Sequence, residues 1–178
     1  MDKLSATYKG LFVGVLMVLV SVAIFYSKGS FESNLQYITY ALYILGIVWT
    51  LRSYYKNSAE PKSFKNYFSQ GFKFFVVVCF LMVIFTYAFT KMHPELKEAM
   101  AVKYRAELVE KGNYTPVEIN NMVQKASDFF TVMLTSLAIF WYLVMGSMVT
   151  VITTLFFLKR DRSDQENIDN MQAQIKKQ

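Results

Sequence analysis

Apolar residues run almost without interruption over 10–26, 35–51, 71–90 and 131–158, with no carboxylate in any of the four stretches and Lys73 as their internal cation. At about 1.5 Å of rise per helical residue, each comes close to or exceeds the roughly 30 Å of a bilayer's hydrocarbon layer. The pattern predicts an all-α membrane protein: four transmembrane helices with an extramembrane helical hairpin between the third and fourth. One transmembrane domain then occupies 1–163, taking in the hairpin at 91–130, and a polar cytoplasmic tail follows at 164–178. Lys3 and Lys9 precede the first run as they would in a signal peptide. That run ends Phe25-Tyr26-Ser27-Lys28 with no small-x-small cleavage site, so a retained helix is expected.

Between the third and fourth stretches the polar pattern itself becomes helical. Leu96, Met100, Tyr104 and Leu108 recur every fourth residue, and Gly112-Asn113 supplies a stop. Thr115-Pro116-Val117-Glu118 then sets a threonine N-cap, a proline at the first helical position and a glutamate three residues after the cap, which is a capping box. Ile119, Met122, Val123, Ala126, Phe129, Phe130 and Met133 carry the period onward with no breaker, predicting an unbroken helix over 116–158 of about 65 Å. Pro94 is expected to kink or restart the chain after the third span.

Ahead of the third span, Lys62, Lys65 and Lys73 alternate with Phe64, Tyr67, Phe68 and Phe72. Rings favour the headgroup zone and ammonium groups snorkel toward water, so this segment is expected at the inner interface, with the three lysines as candidates for lipid headgroups or a cytoplasmic partner. In the 164–178 segment Ile168, Met171 and Ile175 make only a thin stripe, compatible with a loosely ordered helix or a tail.

Composition agrees: 54% hydrophobic and 17% aromatic content with 18% charge is too apolar for a soluble chain of 178 residues. Lysine and arginine set orientation. With the first and third connections outside, twelve cations lie inside and seven outside, which places both termini in the cytoplasm and 91–130 in the periplasm. The formal charge of +6 then reads as topology signal and attraction to anionic lipid, and no nucleic-acid partner is expected.

At depth the polar residues are mostly hydroxyls. Gly10 with Gly14, and Gly146 with Thr150 and Thr154, form small-residue faces suited to close helix packing, within the bundle or in a homo-oligomer. Tyr43 needs a hydrogen-bond partner in the interior, and Tyr40 with Tyr43 could line a polar path. No ionisable group lies near a span centre and no proline interrupts a span, which lowers the case for an ion-coupled transporter.

Catalytic patterns are missing from the sequence. Cys79 is a lone thiol in an apolar run, and His93 beside Pro94 has no second histidine or cysteine to share a metal, so no metal site is expected. No P-loop, dinucleotide fingerprint or nucleophile elbow is visible, and neither enzymatic activity nor a cofactor is expected.

The run from Lys62-Ser63-Phe64 into Gly71-Phe72-Lys73, Tyr87 near the outer end of that span, the acidic-basic insert broken at Thr115-Pro116, and 146–155 closing on Lys159-Arg160 together resemble the domain of unknown function 4199 family over nearly the whole chain. The resemblance implies a small four-helix protein of the bacterial cytoplasmic (inner) membrane with no assigned activity. It further implies membrane partners in envelope synthesis or polyprenyl-phosphate sugar metabolism. The expectation is a non-catalytic envelope component that binds or positions a membrane partner or lipid carrier. The alternative is a small transporter, channel or flippase subunit that acts as an oligomer.

Overall fold

The computed structural model describes residues 5–28, 36–57 and 63–175, and among them every regular element is a helix. In chain order these are α1 (Ala6–Lys28), α2 (Gln36–Asn57), α3 (Phe64–Met92), α4 (Pro94–Lys111), α5 (Pro116–Asp128) and α6 (Phe130–Ile175). Three of them, α1, α3 and α6, are long and apolar enough to cross a membrane. The remaining expected span, the second in chain order and here α2, is not in that set. Its 22 residues include Gln36, Tyr37, Tyr40, Tyr43, Arg52, Tyr54 and Tyr55, which dilute its aliphatic content.

Two serines open spans that the hydrophobic pattern alone does not bound sharply. Ser5 Oγ accepts from the Tyr8 N–H at 3.4 Å ahead of α1, and Ser63 Oγ accepts from the Asn66 N–H at 3.3 Å ahead of α3. Each satisfies a donor that a helix start leaves without a partner.

The chain divides into two compact units, one made of the residues up to Leu81 with those from Tyr142 onward, the other of Met82–Trp141. In the first unit α1 and α3 lie side by side in the same direction. A Cβ on Gly10 would stand 2.8 Å from the Phe74 carbonyl oxygen, and one on Gly14 would stand 2.6 Å from a Leu81 methyl. The intervening α2 runs the opposite way, with Gly46 against Val13 and Phe74 and with Trp49 beside Lys9. The core is where these helices meet: Met17, Ile47, Leu51, Phe74 and Val78 are wholly buried. Lipid tails are as apolar as leucine, so contacts of this kind owe their stability to close van der Waals packing.

The second unit contains the predicted hairpin. Leu108, Ile119 and Val123 form its buried centre, with Ala101, Tyr104 and Met122 packed around them. Pro94 restarts the chain as the first residue of α4, and Gly112 ends that helix at φ 66°, a left-handed conformation that glycine adopts without Cβ strain. Its N–H reaches the Val109 carbonyl at 3.1 Å.

Two boundaries differ from the sequence pattern. The helix expected to run unbroken over 116–158 is interrupted at Phe129, which takes φ −93° and ψ 1°. Two consecutive phenylalanines followed by β-branched Thr131 and Val132 are weak helix formers, and one residue gives way there. The disturbance is confined, since Phe129 N–H still reaches Lys125 at 3.1 Å and Met133 N–H reaches Phe129 at 2.8 Å. At the other end, α6 continues as helix to Ile175.

Candidate functional site

The polar groups of the first unit converge on the seam between α3 and α6. Tyr67, Gly71 and Phe75 are spaced by four on α3, as are Gly146, Thr150 and Thr154 on α6, so each set lies along one helix face. The two helices pass in opposite directions. A Cβ on Gly146 would overlap the Tyr43 hydroxyl and lie 2.8 Å from Phe75, while a Cβ on Gly71 would overlap the Thr150 side chain. Further along, the Tyr67 and Phe157 rings stack with centroids 6.2 Å apart.

Glycine at 146 serves a particular contact. Tyr43, 1% exposed, reaches across from α2 and donates its hydroxyl proton to the Tyr142 carbonyl at 2.8 Å, one helical turn before Gly146. The Tyr43 and Tyr142 rings meet edge to face at 5.5 Å. The interior partner that Tyr43 needs is thus a main-chain oxygen of α6, reachable because no side chain stands at 146.

Six of the helical threonines fall into two groups. Thr50, Thr86, Thr90 and Thr135 return their hydroxyls to the carbonyl four residues back, at 2.9, 2.8, 2.8 and 2.7 Å. That is the ordinary way for a helical threonine to satisfy itself in an apolar setting. Thr150 and Thr154 are wholly buried, and their hydroxyl oxygens have no hydrogen-bond partner; the same is true of the Tyr67 hydroxyl. Each such group carries a desolvation cost on the order of 1–3 kcal/mol.

Of the other sequence candidates, Tyr40 is half-buried, while Lys65 and Lys73 are exposed. Lys62 lies outside the described residues. Beside the two exposed lysines, Phe64, Phe68 and Phe72 form a ladder along the start of α3, with centroids 5.9 and 6.3 Å apart. Phe64 and Phe72 are exposed, and Phe72 turns its edge to Phe75 at 5.2 Å. Lys9, counted above among the inner cations, is 2% exposed, and its ammonium stands 5.0 Å from the centre of the Trp49 ring. That is a cation–π contact. Arg160 lies over Tyr55 at 5.9 Å in the same manner.

In the second unit the capping box forms as the sequence requires. Thr115 N–H donates to Glu118 Oε2 at 2.8 Å and Glu118 N–H donates to Thr115 Oγ1 at 3.4 Å. The backbone hydrogen bond from Thr115, then its hydroxyl, hold the Glu118 carboxyl below its ordinary value of 4.5. Glu95 is lowered first by its side-chain hydrogen bond with His93, whose ring lies 4.3 Å from that of Phe89. His93 caps α4 without a side-chain cap bond, and Pro94 occupies the first helical position. Among the described residues no group of His, Cys, Asp or Glu could hold a metal ion.

The sequence pattern singles out Gly10, Gly14, Gly146, Thr150 and Thr154, and all five stand at helix contacts of the first unit. It passes over Gly71, Gly46 and Tyr67. Gly71 reads there only as the edge of an apolar run, and Tyr67 as one more interfacial ring. The available signal was their spacing: Tyr67, Gly71 and Phe75 at i, i+4 and i+8 mark one face of α3.

No curated protein and no solved structure matches this chain. Residues 8–159, from early in α1 to the last apolar turns of α6, match the DUF4199 family, described as proteins of unknown function. The chain belongs to the DUF4199 family.

Proposed function

We propose that this protein crosses the bacterial cytoplasmic membrane four times and acts without catalysis, positioning a membrane partner or a lipid carrier in envelope synthesis. Both termini are cytoplasmic and 91–130 is periplasmic. The observation that carries the reading is the packing of the seam. The hydroxyls best placed to line a polar path, those of Tyr43, Thr150 and Thr154, are 0–1% exposed and closed over by Gly71, Gly146 and Phe75. Such an interior suits a scaffold better than a conduit. What supports α2 as the fourth span is direction: α1 and α3 run the same way, and the 22 residues of α2, about 33 Å long at helical rise, return between them.

The contact surfaces are the α4–α5 hairpin and the start of α3, where exposed Lys65 and Lys73 flank exposed aromatic rings. Mild extraction from native membranes, with identification of co-purifying proteins and lipids, tests this. A specific companion is expected, and Lys65→Glu with Lys73→Glu is expected to reduce its recovery. A partnerless protein, free of retained lipid, contradicts the reading. For the fourth span, hydrophilic thiol reagents on sealed vesicles should reach cysteines placed in 29–35 and in 58–62 from opposite faces. Labelling of both from one face contradicts it.

A further inference from the structure

The first face of α4, carrying Ala101, Tyr104 and Leu108, packs on α5. A second face has no such cover. Ala99, Val102, Ala106 and Val109 are all exposed, the two valines at 71% and 61%, and their successive spacings of three, four and three residues are those of a coiled-coil seam. In that register Ala99 and Ala106 hold one core position and Val102 and Val109 the other, so small residues alternate with branched ones. The flanking positions are Glu98 and Arg105 on one side, Lys103 and Glu110 on the other.

We propose that this face of α4 binds α4 of a second copy of the same chain. Charge complementarity identifies the occupant. With two copies parallel, Glu98 of each meets Lys103 of the other, and Arg105 meets Glu110. The antiparallel register that pairs all four core residues, Ala99 with Val109 and Val102 with Ala106, instead sets Lys103 against Lys103 and Arg105 against Arg105. Every flanking pair is unlike in the parallel arrangement alone, which favours parallel self-pairing over a random polar surface. The four flanking charges sum to zero, so the face has no net attraction for anionic headgroups. Two heptads of small residues bury little area and pair weakly in solution. Confinement of both copies to one membrane raises their effective concentration and makes a weak seam sufficient.

Sedimentation velocity on the full chain in detergent micelles, over a range of protein-to-detergent ratios, tests the pairing. The unaltered chain is expected to form a concentration-dependent dimer. Val102→Lys with Val109→Lys is expected to be monomeric at unchanged helicity, and Glu107→Lys, exposed beside the seam, is expected to dimerise normally. Glu98→Lys opposes Lys103 of the other copy in the parallel arrangement and should weaken the dimer at least tenfold. A second change, Lys103→Glu, restores the opposite charge and should restore the dimer. A chain that stays monomeric at every ratio overturns the proposal. So does a dimer indifferent to the Val102 and Val109 changes, or a loss at Glu98→Lys that Lys103→Glu does not repair.

Discussion

The two units of this chain are both helical, yet they hold together by different physics. The α4–α5 hairpin follows the rules of soluble proteins: a proline start, a capping box, a left-handed glycine stop and one apolar stripe closed on another. The bundle of α1, α2, α3 and the later part of α6 uses glycine at its contacts and aromatic rings in its interior. In water, a stripe of large apolar side chains identifies the buried face. In lipid both faces are apolar, and the buried face is marked by what is small.

If that contrast is right, adding volume should do most harm in the bundle. Gly146→Val places methyl groups where the Tyr43 hydroxyl and Phe75 stand, and should cost about 3 kcal/mol, at the upper end for overpacking, or prevent the native bundle from forming. Thermal unfolding in detergent reads this. An unchanged midpoint would mean that the seam is loose.

Removing volume should dominate in the hairpin. Leu108→Ala empties the centre of a three-residue cluster and should cost about 2–3 kcal/mol. The loss should appear as faster amide exchange across α4 and α5, with the exchange of α1 and α2 unaltered.

A smaller effect of opposite sign separates the bundle further. Thr154→Val keeps the side-chain shape and removes a buried hydroxyl that has no partner, so stability should rise by about 1 kcal/mol, as loss of an unsatisfied group implies. A fall would show that water serves this hydroxyl and that the seam is wet. The same change at Thr50, which bonds to the Gly46 carbonyl, should bring no such gain.

An effect of similar size is expected at the hairpin cap. Thr115→Ala should cost about 1 kcal/mol, the usual value for an N-cap. The Glu118 carboxyl is lowered in the folded chain, so its contribution is complete above the ordinary value of 4.5 and is lost as pH falls through the lower folded value. Helicity of α5 should therefore decline on acidification below that range, and in the Thr115→Ala variant the pH dependence should shrink only in part, because the backbone hydrogen bond from residue 115 to Glu118 remains.

How far the sequence could be read follows the same division. In the hairpin, Thr115, Pro116, Glu118, Gly112 and the stripe through Leu108 predict elements and boundaries, because caps and amphipathic periods are local signals. The break at Phe129 was not legible, since neither proline nor glycine marks it. In the bundle, the apolar runs announce helices but not their pairing. Gly10, Gly14 and Gly146 stand out as small residues in large surroundings, whereas Gly71 was hidden at the edge of a run and Tyr67 among interfacial rings. Lys9 reads only as an inner-side cation, because sequence alone does not show that Trp49 lies across from it. The hydroxyl of Tyr43 calls for a partner, but a main-chain oxygen 99 residues away leaves no trace in local pattern.

The claim on which the functional reading rests is that the hydroxyl-bearing interior of the bundle is packed and dry. Cysteines placed singly at Tyr43, Thr150 and Thr154, probed in native membranes with small hydrophilic thiol reagents, test it most directly. Packed helices predict that all three resist modification, alongside a reactive control at exposed Lys65. Ready labelling at the three positions would reveal a water-filled path and contradict the scaffold reading in favour of a conduit.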